Sequence, residues 1–323
     1  MIAKKRKIPL KILILEALLR RLPTDHRKRQ LIEQELTRRY AGYYGEESID
    51  YYLSFLNEKK YLVFHQLRMA RSQFFFQIDT LLVSSNFTLL LEIKNISGTI
   101  TFDNTFDQVT RVYKGAEERM INPILQVKRQ QLQYQQWLDG QQLTKQPMEH
   151  LVVYCNPTAI LKMTSYNPEV KKRICHSEQL YERIQAFESI YKEEPIDKKE
   201  IKRLKRLLIK NHEPEKYEIL KSFSIESEEI IKGVLCPDCS HTAMKRKRQS
   251  WHCPVCKINI KAAYKQAILD YFLIIKDTAI NEDIRNFLNL NFPQSIFNFL
   301  SNMNFSVSGK TKGRVYHSPF IDY

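Results

Sequence analysis

The sequence lacks any run of about 18 apolar residues, so it offers no segment long enough to cross a membrane as a helix. Its amino terminus resembles a targeting signal only in part, because a basic head precedes an apolar run from Leu10 to Leu19. Lys11 and Glu16 interrupt that run, and no small-residue cleavage site follows it. Helical spacing predicts an amphipathic helix on Ile12, Leu15, Leu19 and Leu22. We therefore expect a cytoplasmic protein.

Acidic residues are also in short supply. The chain of 323 residues has 36 Asp and Glu against 51 Lys and Arg, which gives a formal net charge of +15. Such an excess favours a polyanionic partner, nucleic acid first and an anionic membrane surface second. Internal repeats and low-complexity tracts are absent. The 43% hydrophobic content predicts packed cores, and the length predicts two or three domains.

Three charged residues stand in an otherwise apolar stretch, QIDTLLVSSNFTLLLEIK, which begins at Gln77. Its β-forming residues predict two strands joined by a polar turn. Glu92 and Lys94 are two residues apart and therefore project from one face of a strand, and a hairpin brings Asp79 beside them. Two carboxylates that close repel each other unless a proton or a cation lies between them. Oxygen ligands of this kind suit Mg²⁺ or Mn²⁺.

An Asp followed by Glu-x-Lys on a strand resembles the active site of the PD-(D/E)xK nuclease superfamily, and more narrowly the nuclease-related domain called NERD. The motifs that carry the resemblance are Gly45-Glu46-Glu47, Gln77-Ile78-Asp79, Glu92-Ile93-Lys94-Asn95 with Gly98, and Asn122-Pro123-Ile124-Leu125-Gln126. They lie in the family's order between residues 41 and 156. The resemblance implies an α/β (α+β) restriction-endonuclease-like core.

The resemblance also assigns roles to residues. It implies that Asp79 and Glu92 bind Mg²⁺ (or Mn²⁺), with help from the carbonyl of Ile93, and that Lys94 stabilises the attacking hydroxide or the transition state. Glu46 and Gln126 become supporting residues of the same site. Plainer interpretations stay open: a strand salt bridge between Glu92 and Lys94 with Asp79 in a turn, a first-turn helix acid at Glu46, and a surface amide at Gln126.

Flanking patterns complete the predicted core. Helices are expected over residues 27–40, 46–56, 124–138, 177–187 and 196–210, and strands over 61–66, 98–103, 109–114 and 150–156. In the helix 124–138 we expect Leu125, Leu132 and Trp137 to face the core. The helix 196–210 should present a basic outer face, and residues 213–229 should form a linker. Cys155 and Cys175 are expected to be core thiols.

Four other cysteines form two C-x-x-C pairs separated by thirteen residues: Cys236, Cys239, Cys253 and Cys256. Each pair places two thiolates on one side of a tight turn, and two such turns make a tetrahedral cage. In a cytosolic chain this spacing indicates structural Zn²⁺ in a zinc ribbon rather than disulfides. With four protein ligands, such a zinc has no open position for catalysis.

Cations cluster near the cysteines and again near the carboxy terminus. Lys245, Arg246, Lys247 and Arg248 lie between the two pairs, where we expect them to meet phosphates. Trp251 should pack the ribbon's small core, and stacking on a base is the alternative. Three predicted helices and a basic hairpin follow, a pattern that resembles a winged-helix module. In that module Lys310, Lys312 and Arg314 are candidates for contact with the nucleic-acid backbone, although such modules also bind proteins.

These patterns divide the chain into five expected segments: a helical segment at 1–40, a nuclease domain at 41–190, a basic helix and linker at 191–232, a zinc ribbon at 233–260 and a winged-helix-like domain at 262–323. The function expected is metal-dependent phosphodiester hydrolysis in DNA processing. A non-catalytic DNA-binding or regulatory protein with a degenerate nuclease domain is the alternative. DNA is favoured over RNA, which stays open as a substrate.

Overall fold

A computed structural model describes residues 1–71, 73–239, 242–291, 293–310 and 313–320. The chain forms two compact units, each assembled from two separate segments. Unit 1 contains Met1–Lys7 and Ala41–Glu213, and unit 2 contains Ile8–Tyr40 and Pro214–Tyr323. This division differs from the five consecutive segments expected, because the first 40 residues contribute to both units and the basic helix falls within unit 1.

The helices, in chain order, are α1 Leu10–Arg21, α2 Arg29–Ser48, α3 Asp50–Leu53, α4 Pro123–Gly140, α5 Pro168–Arg173, α6 Leu180–Ile190, α7 Lys198–Lys210, α8 Ile219–Phe223, α9 Tyr264–Ile274, α10 Asn281–Leu288 and α11 Pro293–Ser301. Within the described ranges none of them is long and apolar enough to span a membrane.

The strands of unit 1 are β1 Ile2–Lys4, β2 Leu62–Arg71, β3 Phe74–Val83, β4 Thr88–Lys94, β5 Gly98–Asp103, β6 Gln108–Tyr113, β7 Ala116–Met120, β8 Met148–Tyr154, β9 Ala159–Met163 and β10 Ile174–His176. Those of unit 2 are β11 Lys245–Lys247, β12 Ser250–His252, β13 Asn259–Ile260, β14 Thr278–Ala279, β15 Val307–Ser308 and β16 Val315–His317.

A mixed sheet of order β1-β2-β3-β4-β8-β10 forms the centre of unit 1. The predicted hairpin is confirmed as β3 and β4, which pair antiparallel. Its turn is held by Ser84, whose hydroxyl accepts hydrogen bonds from the amides of Asn86 and Phe87. β8 pairs in parallel with β4, and the crossover between them carries α4. This is the mixed α/β architecture that the order of elements predicts.

Helices cover both faces of this sheet. Leu90 lies in a core shared with α4 and α7, whereas Leu89 and Leu91 lie in a second core shared with α6. The sheet is therefore buried on both faces, which explains why β4 reads as an almost continuous apolar run. In α7 the residues Leu204 and Leu208 are buried and the lysines and arginines face outward, as predicted.

Several boundaries differ from the predictions. Residues 46–56 do not form one helix, because α2 continues through Gly42 and Gly45 to Ser48 and the short α3 follows. Glu46 therefore lies in the last turn of α2 rather than in a first turn. Gly45 is required there, since a Cβ atom would lie 2.4 Å from the Cβ of Asn95. The amino-terminal segment is also not all helical, because β1 pairs with β2.

Two further predictions about unit 1 need correction. β2 extends to Arg71, so the charged residues 68–71 belong to the strand, and its partner β3 starts at Phe74. In α4 the face toward the sheet carries Ile124 and Val127, which leaves Leu125 and Leu132 exposed; only Trp137 is buried as predicted. Because α4 contains many glutamines and few apolar residues, its sequence alone does not define which face of the helix is buried.

Unit 2 has one apolar core, to which α1, α8, α9, α10, α11 and the cysteine segment contribute. The predicted linker belongs to it, since Ile219 and Ile225 are buried. Trp251 is 3% exposed and packs in this core, which confirms the packing interpretation. The carboxy-terminal part has the three expected helices and a three-stranded sheet of order β14-β16-β15.

A buried ion pair joins α1 to α9 inside unit 2. The Arg21 Nε atom lies 2.8 Å from Oδ2 of Asp270, and Arg21 Nη1 donates to the carbonyls of Ile231 and Gly233. Asp270 also accepts hydrogen bonds from Arg20 and Gln266. Burial lowers the pKa of Arg21, while the Asp270 charge opposes that shift.

Replacing Asp270 with asparagine is expected to destabilise unit 2 by about 3–5 kcal/mol, because a buried guanidinium would lose its counter-charge. The measurement is urea-induced unfolding followed by the fluorescence of Trp251, compared with Asp277→Asn. Asp277 is exposed in the same unit, so its substitution should change stability by less than about 0.5 kcal/mol. Equal effects of the two substitutions would contradict a structural role for the pair.

Candidate active site and metal centre

Asp79 lies where the β3–β4 ladder ends. The last paired residues are Thr80 and Leu91, and beyond them the Oδ2 atom of Asp79 accepts a hydrogen bond of 2.9 Å from the Ile93 amide. The carboxylate thus replaces a strand carbonyl as the partner of that amide. Asp79 is consequently in a strand and fixed beside β4, not in a turn as the salt-bridge interpretation supposed.

Glu92 is buried on the face of β4 that α4 covers. Its Oε1 atom accepts hydrogen bonds from Lys94 Nζ at 2.6 Å and from Gln126 Nε2 at 2.7 Å, and its Oε2 atom accepts one from Gln130 Nε2 at 2.8 Å. Lys94 Nζ also donates to Gln126 Oε1 at 3.0 Å. Glu92, Lys94 and Gln126 therefore form one connected polar cluster.

The start of helix α4 determines where Gln126 and Gln130 lie relative to Glu92. The Asn122 side chain accepts a hydrogen bond from the Ile124 amide, and Pro123 occupies the first turn, where its missing N–H is not needed. Gln126 and Gln130 are four residues apart, so both point to the same face of the helix. Sequence reasoning identified Gln126 from the resemblance and missed Gln130, which lies in a run of similar residues.

Burial and neighbouring acids raise the pKa of Asp79 and of Glu46. Burial is the largest cause that raises the pKa of Asp79 well above its ordinary value, and the charges of Glu92 and Glu46 add to it. The Ile93 amide and Lys94 act in the opposite direction. Burial also raises the pKa of Glu46, against the effects of Arg6 and Gln66. Both shifts disfavour the ionised form of these two acids unless positive charge is nearby.

Arg6 organises the outer part of the site, and sequence reasoning missed it. Its Nη1 atom donates to Glu46 Oε2 at 2.8 Å, and its Nε and Nη2 atoms donate to the Asp50 carboxylate at 3.2 and 2.9 Å. Nη2 also donates to Nδ1 of His65 at 2.8 Å. Burial, followed by the Arg6 charge, lowers the pKa of His65 to about 4, so this imidazole is a neutral acceptor at physiological pH.

The backbone of Gln66 is unusual. The β2–β3 ladder pairs His65 with Thr80 and Leu67 with Ile78 but skips Gln66, which adopts a left-handed conformation with φ of 53°. Its side chain donates to Glu46 Oε2 at 3.1 Å. A non-glycine residue in this region costs about 1–3 kcal/mol and is enriched at functional sites. The local pattern gave no sign of it.

The donor set fits a hard divalent cation, although Glu92 is already engaged. An ionised carboxylate has about four lone-pair sites, and Glu92 uses three. Within the described ranges only the Ile93 amide donates to Asp79, so its Oδ1 is available. No three acidic residues of the described ranges bring their oxygens within 4.8 Å of one another; the group of three or more candidate ligands that meets this limit is the cysteine cluster.

All four predicted cysteines meet in unit 2. Their sulfur atoms lie within 4.8 Å of one another, with 3.6 Å between Cys236 and Cys256 and 3.9 Å between Cys239 and Cys253. A tetrahedral zinc with Zn–S bonds of about 2.3 Å places its sulfurs about 3.8 Å apart. The arrangement is therefore close enough to hold one structural Zn²⁺. Of the other two, Cys175 is buried on β10 and Cys155 follows β8.

Of the predicted cationic residues that the structure describes, Arg314 is half-buried and the others are exposed in unit 2. Lys245, Arg246 and Lys247 form β11, and Arg248 follows in a tight turn with φ of 50°. The Arg246 guanidinium lies 5.0 Å from the ring centre of Phe299, and that of Arg314 lies 5.4 Å from the ring centre of Phe297. Lys310 is exposed, and Lys312 lies outside the described residues.

The hairpin acids and the adjacent lysine lie in a segment that is similar to a known family. Residues 41–155 match the family model of the nuclease-related domain, NERD. The matched segment includes Glu46, Asp79, Glu92, Lys94 and Gln126, whereas Arg6 lies before it. No curated protein and no solved structure gives a significant match to the chain.

Proposed function

We propose that this protein is a metal-dependent nuclease of the PD-(D/E)xK type that hydrolyses phosphodiester bonds in DNA. The observation that carries the proposal is the convergence of Lys94 and Gln126 on Glu92, beside Asp79, within the segment that matches the nuclease-related domain. A salt bridge that served only the strand would need neither the glutamine nor the acid on the neighbouring strand.

In this proposal Asp79 and Glu92 hold Mg²⁺ or Mn²⁺, with the carbonyl of Ile93 as a further oxygen ligand. When bound, the cation lowers the pKa of a coordinated water and neutralises charge on the scissile phosphate. Lys94 then directs its ammonium at the attacking oxygen or at the negative charge of the transition state. Gln126 positions that ammonium, and Glu46 serves as a third acid oriented by Arg6 and Gln66.

Unit 2 supplies the modules that hold the substrate. The four cysteines with β11–β13 make a zinc ribbon, and the order α9, β14, α10, α11, β15, β16 makes a winged-helix-like domain. Lys245, Arg246, Lys247 and Arg248 contact phosphates from the ribbon, and Lys310, Lys312 and Arg314 do so from the wing. Contacts of this type fix position without reading sequence, so DNA affinity should fall steeply with salt.

The test is a cleavage assay on supercoiled, linear and single-stranded DNA with Mg²⁺ or Mn²⁺. Wild-type protein is compared with Asp79→Ala and Lys94→Ala, and DNA binding by each protein is measured in parallel. The proposal requires metal-dependent cutting that both substitutions abolish while binding persists. No cutting with either metal, or equal cutting by all three proteins, would overturn it.

A second candidate function is non-catalytic DNA binding or regulation. The observation in its favour is the closed network around Glu92, whose 2.6 Å contact with Lys94 gives the acid a counter-charge without any metal. In that case wild-type protein binds DNA with strong salt dependence and cuts none of the three substrates. The same experiment therefore separates the two candidates.

A further inference from the structure

We propose that the β2–β3 ribbon beyond Asp79 is a stacking platform for unpaired nucleotides, which makes single-stranded DNA, or a single-stranded part of a duplex, the preferred substrate. This inference rests on the proposed nuclease function, whose site lies at the base of the ribbon. It adds a substrate class that the acids and the lysine do not define by themselves.

The ribbon is a consequence of unequal strand pairing. β3 pairs with β4 only up to Thr80, whereas it pairs with β2 as far as Phe74 opposite Arg71. Six residues of β3, from Phe74 to Asp79, therefore continue past the end of the β4 ladder. At about 3.4 Å per residue this two-stranded extension is about 20 Å long. The catalytic candidate Asp79 is its first residue counted from the sheet.

Strand alternation puts one aromatic ring on the face of the ribbon that points away from the core. Phe76 and Ile78 are buried in the core of unit 1, so Gln77 and Phe75 lie on the opposite face. Phe75 lies four residues from Asp79, or about 13 Å along the strand. It is 44% exposed.

An arginine is stacked on this ring. Arg68 lies opposite Gln77 in the ladder, and its guanidinium is 3.7 Å from the ring centre of Phe75. The Arg68 Nη1 atom also donates to the carbonyl of Glu213, which fixes the guanidinium over the ring. An aromatic ring that is supported on one side and open on the other is a surface on which a nucleobase stacks.

Charge at the ribbon complements a nucleic-acid strand. Residues 66–77, QLRMARSQFFFQ, include two arginines and no acid, and a second phenylalanine, Phe74, is 65% exposed. Lys4 lies against the base of the ribbon, where its Nζ atom donates to the carbonyls of His65 and Gln66. Aromatic rings among cations are typical of surfaces that bind single strands, since stacking needs a base that is not paired in a duplex.

The first test is fluorescence anisotropy of a labelled single strand and of the matching blunt duplex, with the full chain and no added divalent metal. A chelator is avoided because it would remove zinc from the cysteines. Phe75→Ala should weaken single-strand binding about tenfold and leave duplex binding nearly unchanged. Phe75→Tyr should keep the affinity, and Phe106→Ala, which removes a 79% exposed phenylalanine of the same unit, should have no effect.

The second test avoids any contribution from unit 2. A single strand that contains 5-iodouracil is crosslinked by ultraviolet light, and crosslinked tryptic peptides are identified by mass spectrometry. The crosslink is expected in residues 72–94 of the wild-type protein and should be lost with Phe75→Ala.

Unchanged single-strand affinity of Phe75→Ala, or an equal loss on single strand and duplex, would overturn the platform. Both tests measure binding alone, so their outcome is independent of whether the wild type cuts DNA. A wild type that crosslinks through this peptide but never cuts would refute the nuclease and keep the platform. If the wild type cuts DNA and Phe75→Ala behaves like the wild type in both binding tests, the nuclease function is kept and the platform is refuted.

Discussion

Replacing Cys253 with serine is expected to abolish zinc binding and to unfold the cysteine segment of unit 2. Zinc binding by small thiolate modules is worth about 10–16 kcal/mol, which equals or exceeds the whole stability of an ordinary domain. Cys253 and Cys236 are buried in the same core as Trp251 and Tyr264. Without a cation, four sulfurs so close together have nothing to offset their mutual repulsion once ionised.

The change can be followed by three measurements on the same samples. Metal analysis should find one zinc per wild-type chain and none in Cys253→Ser. Limited proteolysis should cut the variant between residues 235 and 260, and the near-ultraviolet signal of Trp251 should decrease. Cys155→Ser is the matched control, because this thiol lies in unit 1 outside the cluster. If Cys253→Ser kept stoichiometric zinc and resisted the protease, a structural zinc site would be ruled out.

Asp79→Asn is expected to have opposite effects on activity and on stability. The amide is a poor ligand for Mg²⁺, so metal-dependent cleavage should fall by more than about a hundredfold. Stability of the metal-free protein at neutral pH should increase, because the substitution removes a charge that is desolvated and repelled by Glu92 and Glu46. A residue kept at a cost in stability is typical of a functional site.

The pH dependence follows from the direction of the pKa shift. In the folded protein Asp79 has a raised pKa, so between the ordinary value of 3.8 and that higher value the folded state holds a proton which the unfolded state has released. Unfolding free energy of the wild type therefore falls as pH rises through this window. The stability difference between Asp79→Asn and wild type should grow with pH over the same window, and added Mg²⁺ should reduce it.

Denaturant unfolding at several pH values, with and without Mg²⁺, measures this effect. Asp107→Asn is the control, since Asp107 is exposed in unit 1 and its left-handed conformation, with φ of 49°, is one that asparagine tolerates. A stability difference that is independent of pH would show that Asp79 is an ordinary ionised acid. A variant that still cuts DNA at the wild-type rate would remove Asp79 from the site.

Local pattern was sufficient to predict the elements that carry the site. The hairpin of β3 and β4 could be read from its apolar residues, and the start of α4 from Asn122-Pro123, because strand alternation and helix capping are properties of neighbouring residues. Glu92 and Lys94 share a face for the same reason. The identity of the site as nuclease-like came from the resemblance, which the family match at residues 41–155 supports.

Contacts between distant parts of the chain could not be predicted in this way. Arg6 stands in the basic run KKRK, and only the pairing of β1 with β2 shows that it differs from its neighbours by reaching Glu46 and Asp50. Gln130 differs from most other glutamines of α4 because it donates a hydrogen bond to Glu92, and the sequence of α4 does not indicate this contact. A helix start was expected at residue 46, whereas α2 continues through this segment and Gly45 lets it approach Asn95.

Each unit is built from two separate segments of the chain, and this limits the order in which the units can fold during synthesis. α1 is synthesised before α9, and Arg21 can meet Asp270 only after 249 further residues have been added. At about 5–20 residues per second, that interval is roughly 12–50 s. Throughout it the apolar face of α1 lacks its native contacts with α9, while every residue of unit 1 has been added once residue 213 is made. The emerging chain thus carries a partly covered apolar helix before the second unit can be completed.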